Sequence, residues 1–415
     1  MTRRLLPTIA QWLLLLGLVG CSQADAQSLR FPTSRVAGVS ATPTAAKYFR
    51  TALPVTVTTY ATPAGGTVFA IPVWVPSDVT SVRVVAQNMA YNESAYADVA
   101  GVNVAIGTSN AATPGIDFSG PPTLYSSVTI GGVVPYVSPA TAVTRGTDGK
   151  ILVALGIPAS TTVQAATGMN YTGRLTTGTT TVYPLTGSGA SVSTVPFILQ
   201  VQYATAAKRL VVVGDSISVG YNGYWDVPGL GTSPYYALGK DHGWATYVYG
   251  GNGSRLYNYF DDVQSEASPA FAQTQADLGS VVKGAIVDVE VGVNDLNYAS
   301  VAGGVTAYTS YKVMVEKAVH WLRANGAKAI VFETLAVCSS YEAGHGAARV
   351  AYNNWISTLP FGIDAVIDRD ATLSTATRTA GSTLKASFDS GDGCHPNASG
   401  AVALEAAAYA VLSAL

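Results

Sequence analysis

The stretch Arg209-Leu210-Val211-Val212-Val213-Gly214-Asp215-Ser216-Ile217-Ser218 decides how this chain is read. Its first half is a β-branched apolar run, which predicts a strand buried on both faces of a parallel sheet. Gly214 lets the chain turn sharply at the strand's carboxyl end, where open α/β sheets place their sites. Ser216 is then expected at the top of the sheet, at or near the start of the next helix. Free backbone N–H groups there can stabilise a developing anion. A strand followed by Gly-Asp-Ser equally fits a turn with the serine as a helix N-cap. The role of Ser216 therefore depends on what else the chain brings to that end of the sheet.

Downstream, strand and helix alternate. Thr246–Tyr249 leads into Gly250-Gly251-Asn252-Gly253-Ser254, and Gly284–Val291 reads as a further buried strand. Tyr311, Val315, Ala318, Val319 and Leu322 recur at helical spacing and predict a helix over roughly Gly304–Asn325, stopped by Gly326. A strand at Ala329–Leu335, a helix around Gly346–Thr358, a short strand at Ala365–Asp368 and a helix after Asn397 follow. Such alternation predicts an α/β domain with a parallel sheet covered on both faces. The segment after Ser216 reads as a long aromatic and glycine-rich loop. Its rings, Tyr221, Tyr224, Trp225, Tyr235, Tyr236 and Trp244, suit sugar faces, though a packed loop explains them too.

Three later stretches offer what a serine nucleophile needs. Gly292-Val293-Asn294-Asp295 places an amide after a buried strand, where it can donate N–H to an oxyanion without changing charge. Asp295 more readily fixes that loop than takes part in chemistry. In Gly250-Gly251-Asn252-Gly253 a glycine N–H can approach a substrate unobstructed. In Asp392-Gly393-Cys394-His395-Pro396 the carboxylate can orient the imidazole, whose other nitrogen can take the serine proton.

In this order, over about residues 207–415, these blocks resemble the four blocks of the SGNH (GDSL-type) hydrolases. The resemblance implies a three-layer parallel-sheet hydrolase domain with Ser216 as nucleophile, His395 as general base and Asp392 as its orienting partner. It also implies an oxyanion hole made by the backbone N–H groups of Ser216 and Gly253 and the Asn294 side chain. Gly250 or Gly251 could take the place of Gly253. Ile217 stands where many members have leucine.

Other chemistry finds less support. No Cys/His spacing suits zinc, so neither a metal nor any other cofactor is expected. Gly251-Asn252-Gly253 lacks the third glycine and the later acid of a dinucleotide fingerprint. His320 is expected on a helix as a surface or packing residue, whereas His242 and His345 lie in predicted loops that could touch substrate. A net charge of −2 without a basic run argues against nucleic-acid binding.

The rest of the chain reads differently. Residues 1–26 resemble an export signal, with Arg3 and Arg4 before an apolar core from Trp12 to Gly20. Leu18-Val19-Gly20-Cys21 resembles a lipobox, which makes Cys21 a candidate for acylation and membrane attachment. Cleavage after Ala24-Asp25-Ala26 is the alternative and would release a soluble protein. Cys338 and Cys394 remain, and a disulfide between them would clamp the histidine loop. Residues 27–50 read as a linker. Residues 51–205 read as an all-β accessory domain, a sandwich or jelly roll, with strands at Thr67–Val75, Ser81–Ala86, Val99–Ile106, Ile151–Gly156 and Pro196–Tyr203. Pro72 marks an edge strand or a bulge. Residues 206–415 form the hydrolase domain.

These readings together predict an exported serine esterase, periplasmic, outer-membrane or secreted, cleaving short-chain esters, acetyl foremost, on a polysaccharide. The alternatives are a polysaccharide O-acetyltransferase of the same type, a lipase or phospholipase, and a non-catalytic surface-binding lipoprotein.

Overall fold

The structure is a computed structural model and describes residues 48–52, 57–88, 97–112, 117–132, 134–185, 190–220, 233–250, 253–260, 269–297 and 304–415. The expected signal segment, Cys21 and the rings of Tyr221, Tyr224 and Trp225 lie outside the described residues.

Twelve strands come first: β1 (Tyr48–Ala52), β2 (Val57–Ala61), β3 (Thr67–Trp74), β4 (Ser81–Gln87), β5 (Val99–Thr108) and β6 (Thr123–Ile130), then β7 (Tyr136–Val137), β8 (Thr141–Ala142), β9 (Lys150–Ile157), β10 (Thr162–Thr177), β11 (Ala190–Pro196) and β12 (Ile198–Ala204). They form two sheets in which every described pairing is antiparallel. One has the order β1-β12-β4-β7 with β8 also on β4, and the other β11-β10-β3-β9-β5-β6 with β2 on β10. Phe69, Ile71 and Val73 of β3, Val82 and Val84 of β4, and Leu199 and Val201 of β12 share one apolar cluster, which is why strands from both sheets hold together. The opposite face of β3 and β9 is not left to solvent: Val68, Ala70, Leu152 and Ala154 pack under Phe118, Val182 and Leu185.

Two expectations need correction here. Tyr48, Phe49 and Arg50, assigned to the linker, already pair with Ala204, Tyr203 and Gln202 of β12. Pro72 is not on an edge strand, because β3 lies between β10 and β9. However, β10 pairs only with Thr67–Ala70, while β9 runs on past Pro72 to Trp74. Pro72 therefore sits past the end of the β10 pairing, where the described pairings of β3 are with β9 alone.

The second half alternates. β13 (Arg209–Gly214), β14 (Ala245–Gly250), β15 (Ile286–Val289), β16 (Ala329–Glu333) and β17 (Ala365–Ile367) form a parallel sheet in the order β14-β13-β15-β16-β17. Its helices are α1 (Pro234–His242), α2 (Tyr257–Phe260), α3 (Pro269–Val282), α4 (Val293–Asn297), α5 (Gly304–Ala324), α6 (Ser339–Ile356), α7 (Arg369–Leu373) and α8 (Ala398–Leu412). β13 is buried almost throughout and divides its side chains between two clusters. Leu210 and Val212 join Leu238 of α1 and Leu412 of α8, while Val211 and Val213 join Val315 and Leu322 of α5. Burial of one such side chain stabilises by roughly 1.5–3 kcal/mol, so this strand is held from both faces of the sheet.

The chain leaves β13 toward β14 on one side and returns past it to β15 on the other. The strand order thus reverses at β13, and the carboxyl end of such a strand is where open sheets form a crevice. Gly214 and Gly250 lie opposite each other at that end. A Cβ on Gly214 would come within 1.9 Å of Ser218 Oγ and 2.9 Å of Glu290 Oε2, so only glycine leaves room for what converges there.

Residues 46–415 form one compact unit. The Tyr236 hydroxyl of α1 accepts the Trp74 backbone N–H at 3.2 Å. Gln200 of β12 donates to Asp277 of α3 at 3.3 Å, and Asp78 accepts from Thr205 Oγ1 at 2.7 Å and from Ala206 N at 2.6 Å. The turn leading into β13 is therefore fixed from the antiparallel region.

Candidate active site

Ser216 follows β13 by two residues and is 9% exposed. Its Oγ lies 2.9 Å from His395 Nε2. His395 Nδ1 lies 2.6 Å from Asp392 Oδ2. An ionised carboxylate only accepts, so Nδ1 carries the proton and the Nε2 lone pair faces the serine hydroxyl. That is the tautomer in which the imidazole can remove the serine proton.

The loop that delivers His395 is stapled locally. Asp392 Oδ1 accepts the backbone N–H groups of Cys394 and His395, each at 2.8 Å. These bonds form because the chain turns at Gly393, whose φ is +72°; a Cβ there would press on Ser339 Oγ at 2.8 Å. Ser339, which opens α6, donates its N–H to Gly393 O at 2.9 Å and its hydroxyl to Asp392 O at 2.9 Å. Cys338, one residue earlier, is joined to Cys394 by a disulfide. Partial burial works against ionisation of Asp392, but the hydrogen bonds from His395 and Cys394 outweigh it and hold this carboxyl below its ordinary range.

The other site residues stand around the serine turn. Asn294, in the first turn of α4, points its amide at Ser254 O (3.1 Å) and Asp215 Oδ2 (3.4 Å). It thus bridges the second block to the residue preceding the serine. Its neighbour Asp295 accepts the Leu256 N–H through both oxygens, at 3.2 and 3.0 Å, and fixes that same loop. Burial pushes the Asp295 carboxyl up to about 7 against the pull of the Leu256 N–H and Arg255. Gly253 is half-buried, and a Cβ on it would meet no heavy atom within 4 Å, so its backbone faces open space. Gly250 is instead packed against Gly214 inside the sheet, and Gly251 lies outside the described residues.

Several sequence-based expectations change. The segment read as an aromatic loop contains α1, and Tyr235, Tyr236 and Trp244 are buried rather than presented to a ligand. The signals for that helix were present: Ser233 caps it by accepting from Tyr236 N, Pro234 opens it, and Gly243 ends it. His242 is not a loop residue at the serine. It closes α1, stacks on Tyr409 with ring centroids 3.6 Å apart and lies 3.8 Å from Glu405. His345 is buried within α6, which starts seven residues before the expected helix because Cys338 and Ser339 already anchor its first turn. His320 is exposed on α5.

Sequence reasoning missed a buried set of charges beneath the serine turn. Arg369 is fully buried and pairs with Glu290 and Glu333, and Glu290 Oε2 accepts the Asp215 N–H at 3.0 Å. The one available signal was charged residues inside otherwise apolar strands, as in Asp288-Val289-Glu290.

Residues 212–403 match the model of the GDSL-like lipase/acylhydrolase family. Among solved structures, the chain is similar to a carbohydrate esterase family 2 enzyme plus carbohydrate-binding domain from Corynascus thermopiles (Myceliophthora fergusii). The two are 16% identical over 88% of this chain and 98% of that one, with a TM-score of 0.35. A family two carbohydrate esterase from Cellvibrio japonicus is 13% identical over 86% of this chain and 98% of its own, with a TM-score of 0.36. One from Clostridium thermocellum, solved in complex with cellohexaose, is 13% identical over 86% and 95%, with a TM-score of 0.34. No curated protein matches the chain significantly. Through residues 212–403, the chain is thus similar to the GDSL-like lipase/acylhydrolase family, whose model those residues match.

Proposed function

We propose that the protein is an exported serine esterase that removes short acyl groups, acetyl foremost, from carbohydrate. The observation that carries this reading is the line Ser216 Oγ, His395 Nε2, His395 Nδ1, Asp392 Oδ2, with contacts of 2.9 and 2.6 Å. Ser216 attacks the ester carbonyl as His395 takes its proton. The resulting imidazolium is stabilised by Asp392 and returns the proton to the departing alcohol. The tetrahedral oxyanion is met by the Ser216 and Gly253 N–H groups and by the Asn294 amide. Water, deprotonated by the same imidazole, then releases the acid from the acyl-enzyme.

The substrate side of the proposal has its own support. A serine only 9% exposed admits a narrow approach, which suits a short acyl group better than a long chain. The antiparallel region lies in the same compact unit as the hydrolase region, and this reading takes 51–205 as an accessory domain that shapes access to a hydrolase domain at 206–415. Export is supported by the Cys338–Cys394 disulfide, a bond of oxidising compartments. The fold that accompanies this reading is a three-layer hydrolase domain behind a β-sandwich or jelly roll.

The test is hydrolysis of p-nitrophenyl esters from acetate to palmitate by the mature protein and by Ser216→Ala. Turnover confined to the shortest esters and lost in the variant is expected. A preference for long chains would move the protein to the lipases, and loss of acetyl from acetylated xylan only when a sugar acceptor is added, with the acetyl recovered on that acceptor and not as acetate, would make it a transferase.

A further inference from the structure

The proposed mechanism leaves the buried charges under Ser216 without a task. Arg369 is the first residue of α7, and its guanidinium reaches across the ends of two strands. It pairs with the Glu290 side chain, donates to the Glu290 carbonyl at 3.0 Å, and donates to Glu333 Oε2 at 2.7 Å. Glu290 passes this anchoring on to the nucleophile's turn by accepting the Asp215 N–H at 3.0 Å. From the other side, Asp215 Oδ1 accepts the Ile217 N–H at 2.9 Å. The residues before and after Ser216 are thus both tied down, and the first of these ties ends on a guanidinium.

A buried carboxylate must be paired or protonated, and this cluster distributes the two outcomes. Asp215, Asp288, Glu290 and Glu333 gather around Arg369, and all four are fully or almost fully buried. Burial, then Glu333, pushes Asp288 well above its ordinary range, and burial raises Glu290 as well while Arg369 opposes it. Glu290 faces both the guanidinium and the Asp215 N–H. It holds the turn by geometry: one carboxyl oxygen meets Arg369 and the other accepts the Asp215 N–H.

We infer that Glu290 and Arg369 are positioning residues for the nucleophile: Arg369 holds the Glu290 carboxylate in place, and Glu290 fixes the Asp215–Ser216 turn against the sheet. This deepens the esterase reading and rests on it. A purely structural cluster would lower stability when cut but leave each folded serine as reactive as before. A positioning cluster changes the reactivity of the serine itself.

The experiment compares wild type, Glu290→Gln, Arg369→Met and Glu333→Gln. Glu333 touches the same guanidinium but not Asp215, so Glu333→Gln is the structural control. For each, the rate at which a p-nitrophenyl phosphonate labels Ser216 is measured, then kcat and KM on p-nitrophenyl acetate per titrated site, then Tm. Glu290→Gln is expected to slow labelling and kcat by at least about tenfold with KM within about twofold, since small misplacements of a reacting group are costly. Glu333→Gln is expected to lower Tm while labelling stays near wild type. If Arg369→Met does not fold, the pair Glu290→Gln and Glu333→Gln still decides. Labelling by Glu290→Gln at the wild-type rate, or an equal loss in Glu333→Gln, would overturn the inference. Wild-type protein that takes no label would instead overturn the serine-hydrolase reading beneath it.

Discussion

The two arms that meet at Ser216 are built in opposite ways. The nucleophile arm is the end of a buried strand, held from below by Glu290 and Arg369, both fully buried. The base arm is a surface loop, with the Asp392 side chain 42% and the His395 side chain 18% exposed, held by a disulfide and short-range hydrogen bonds. Their carboxyls are displaced from their ordinary range in opposite directions as well. Hydrogen bonds hold Asp392 below its ordinary range, whereas burial raises Asp288 and Glu290. The nucleophile is thus placed by the fold, while the base is placed by local staples on a loop that could otherwise wander. Such a division lets one half of a site stay fixed while the other is adjusted by a few residues.

The largest effect expected lies where the arms touch. Ser216→Ala should lower ester turnover on the order of 10⁴-fold or more with little change in Tm, measured on p-nitrophenyl acetate. Asn294→Ala should cost about 10²–10³-fold in kcat if its amide serves the oxyanion. A loss confined to stability would leave it as the bridge between Ser254 and Asp215 alone. Asp392→Asn should cost less than a buried partner would, roughly 10²-fold, because water can reach the exposed carboxylate position and replace part of its orienting role.

Smaller effects separate the arms by stability. Cys338→Ala with Cys394→Ala opens a link across 56 residues, which chain entropy values at about 4 kcal/mol as an upper figure. Activity per folded molecule should fall too, since the same link docks His395; unchanged kcat would show that the hydrogen bonds to Ser339 suffice. The pH response gives the finest test. Asp295 keeps its proton in the folded chain up to about 7, whereas an unfolded aspartate loses it near 4. Stability from this group is fully present below about pH 4 and declines as pH rises toward 7. Asp295→Asn, which mimics the protonated form, should therefore shrink the fall in Tm between about pH 5 and about pH 8. An unchanged fall would assign the pH response to Asp288 and Glu290 instead.

The nucleophile arm was more legible in the sequence than its supports. The run Leu210–Val213 before Gly214 carries its own strand signal, and the helical spacing of Tyr311, Val315, Ala318, Val319 and Leu322 marked a helix that runs from Gly304 to Ala324. The grouping of Asp392, His395 and Cys394 was legible because all three lie within four residues. By contrast, Arg369, Glu290 and Glu333 come from different elements and meet only once the parallel sheet brings strand ends together. No local pattern announces such a meeting. α1 was hidden for another reason: rings and glycines gave its segment the composition of a loop, and the caps at Ser233 and Gly243 were outweighed.

The most direct test of the central claim is to catch the acyl-enzyme. The protein is mixed with p-nitrophenyl acetate, quenched in acid within the first turnover and digested for peptide mass mapping. A burst of p-nitrophenol equal to the enzyme present, with one acetyl group on the peptide containing Ser216, is the expected result. Steady ester hydrolysis with no burst and no acetyl at Ser216, or an acetyl group on another residue, would contradict it.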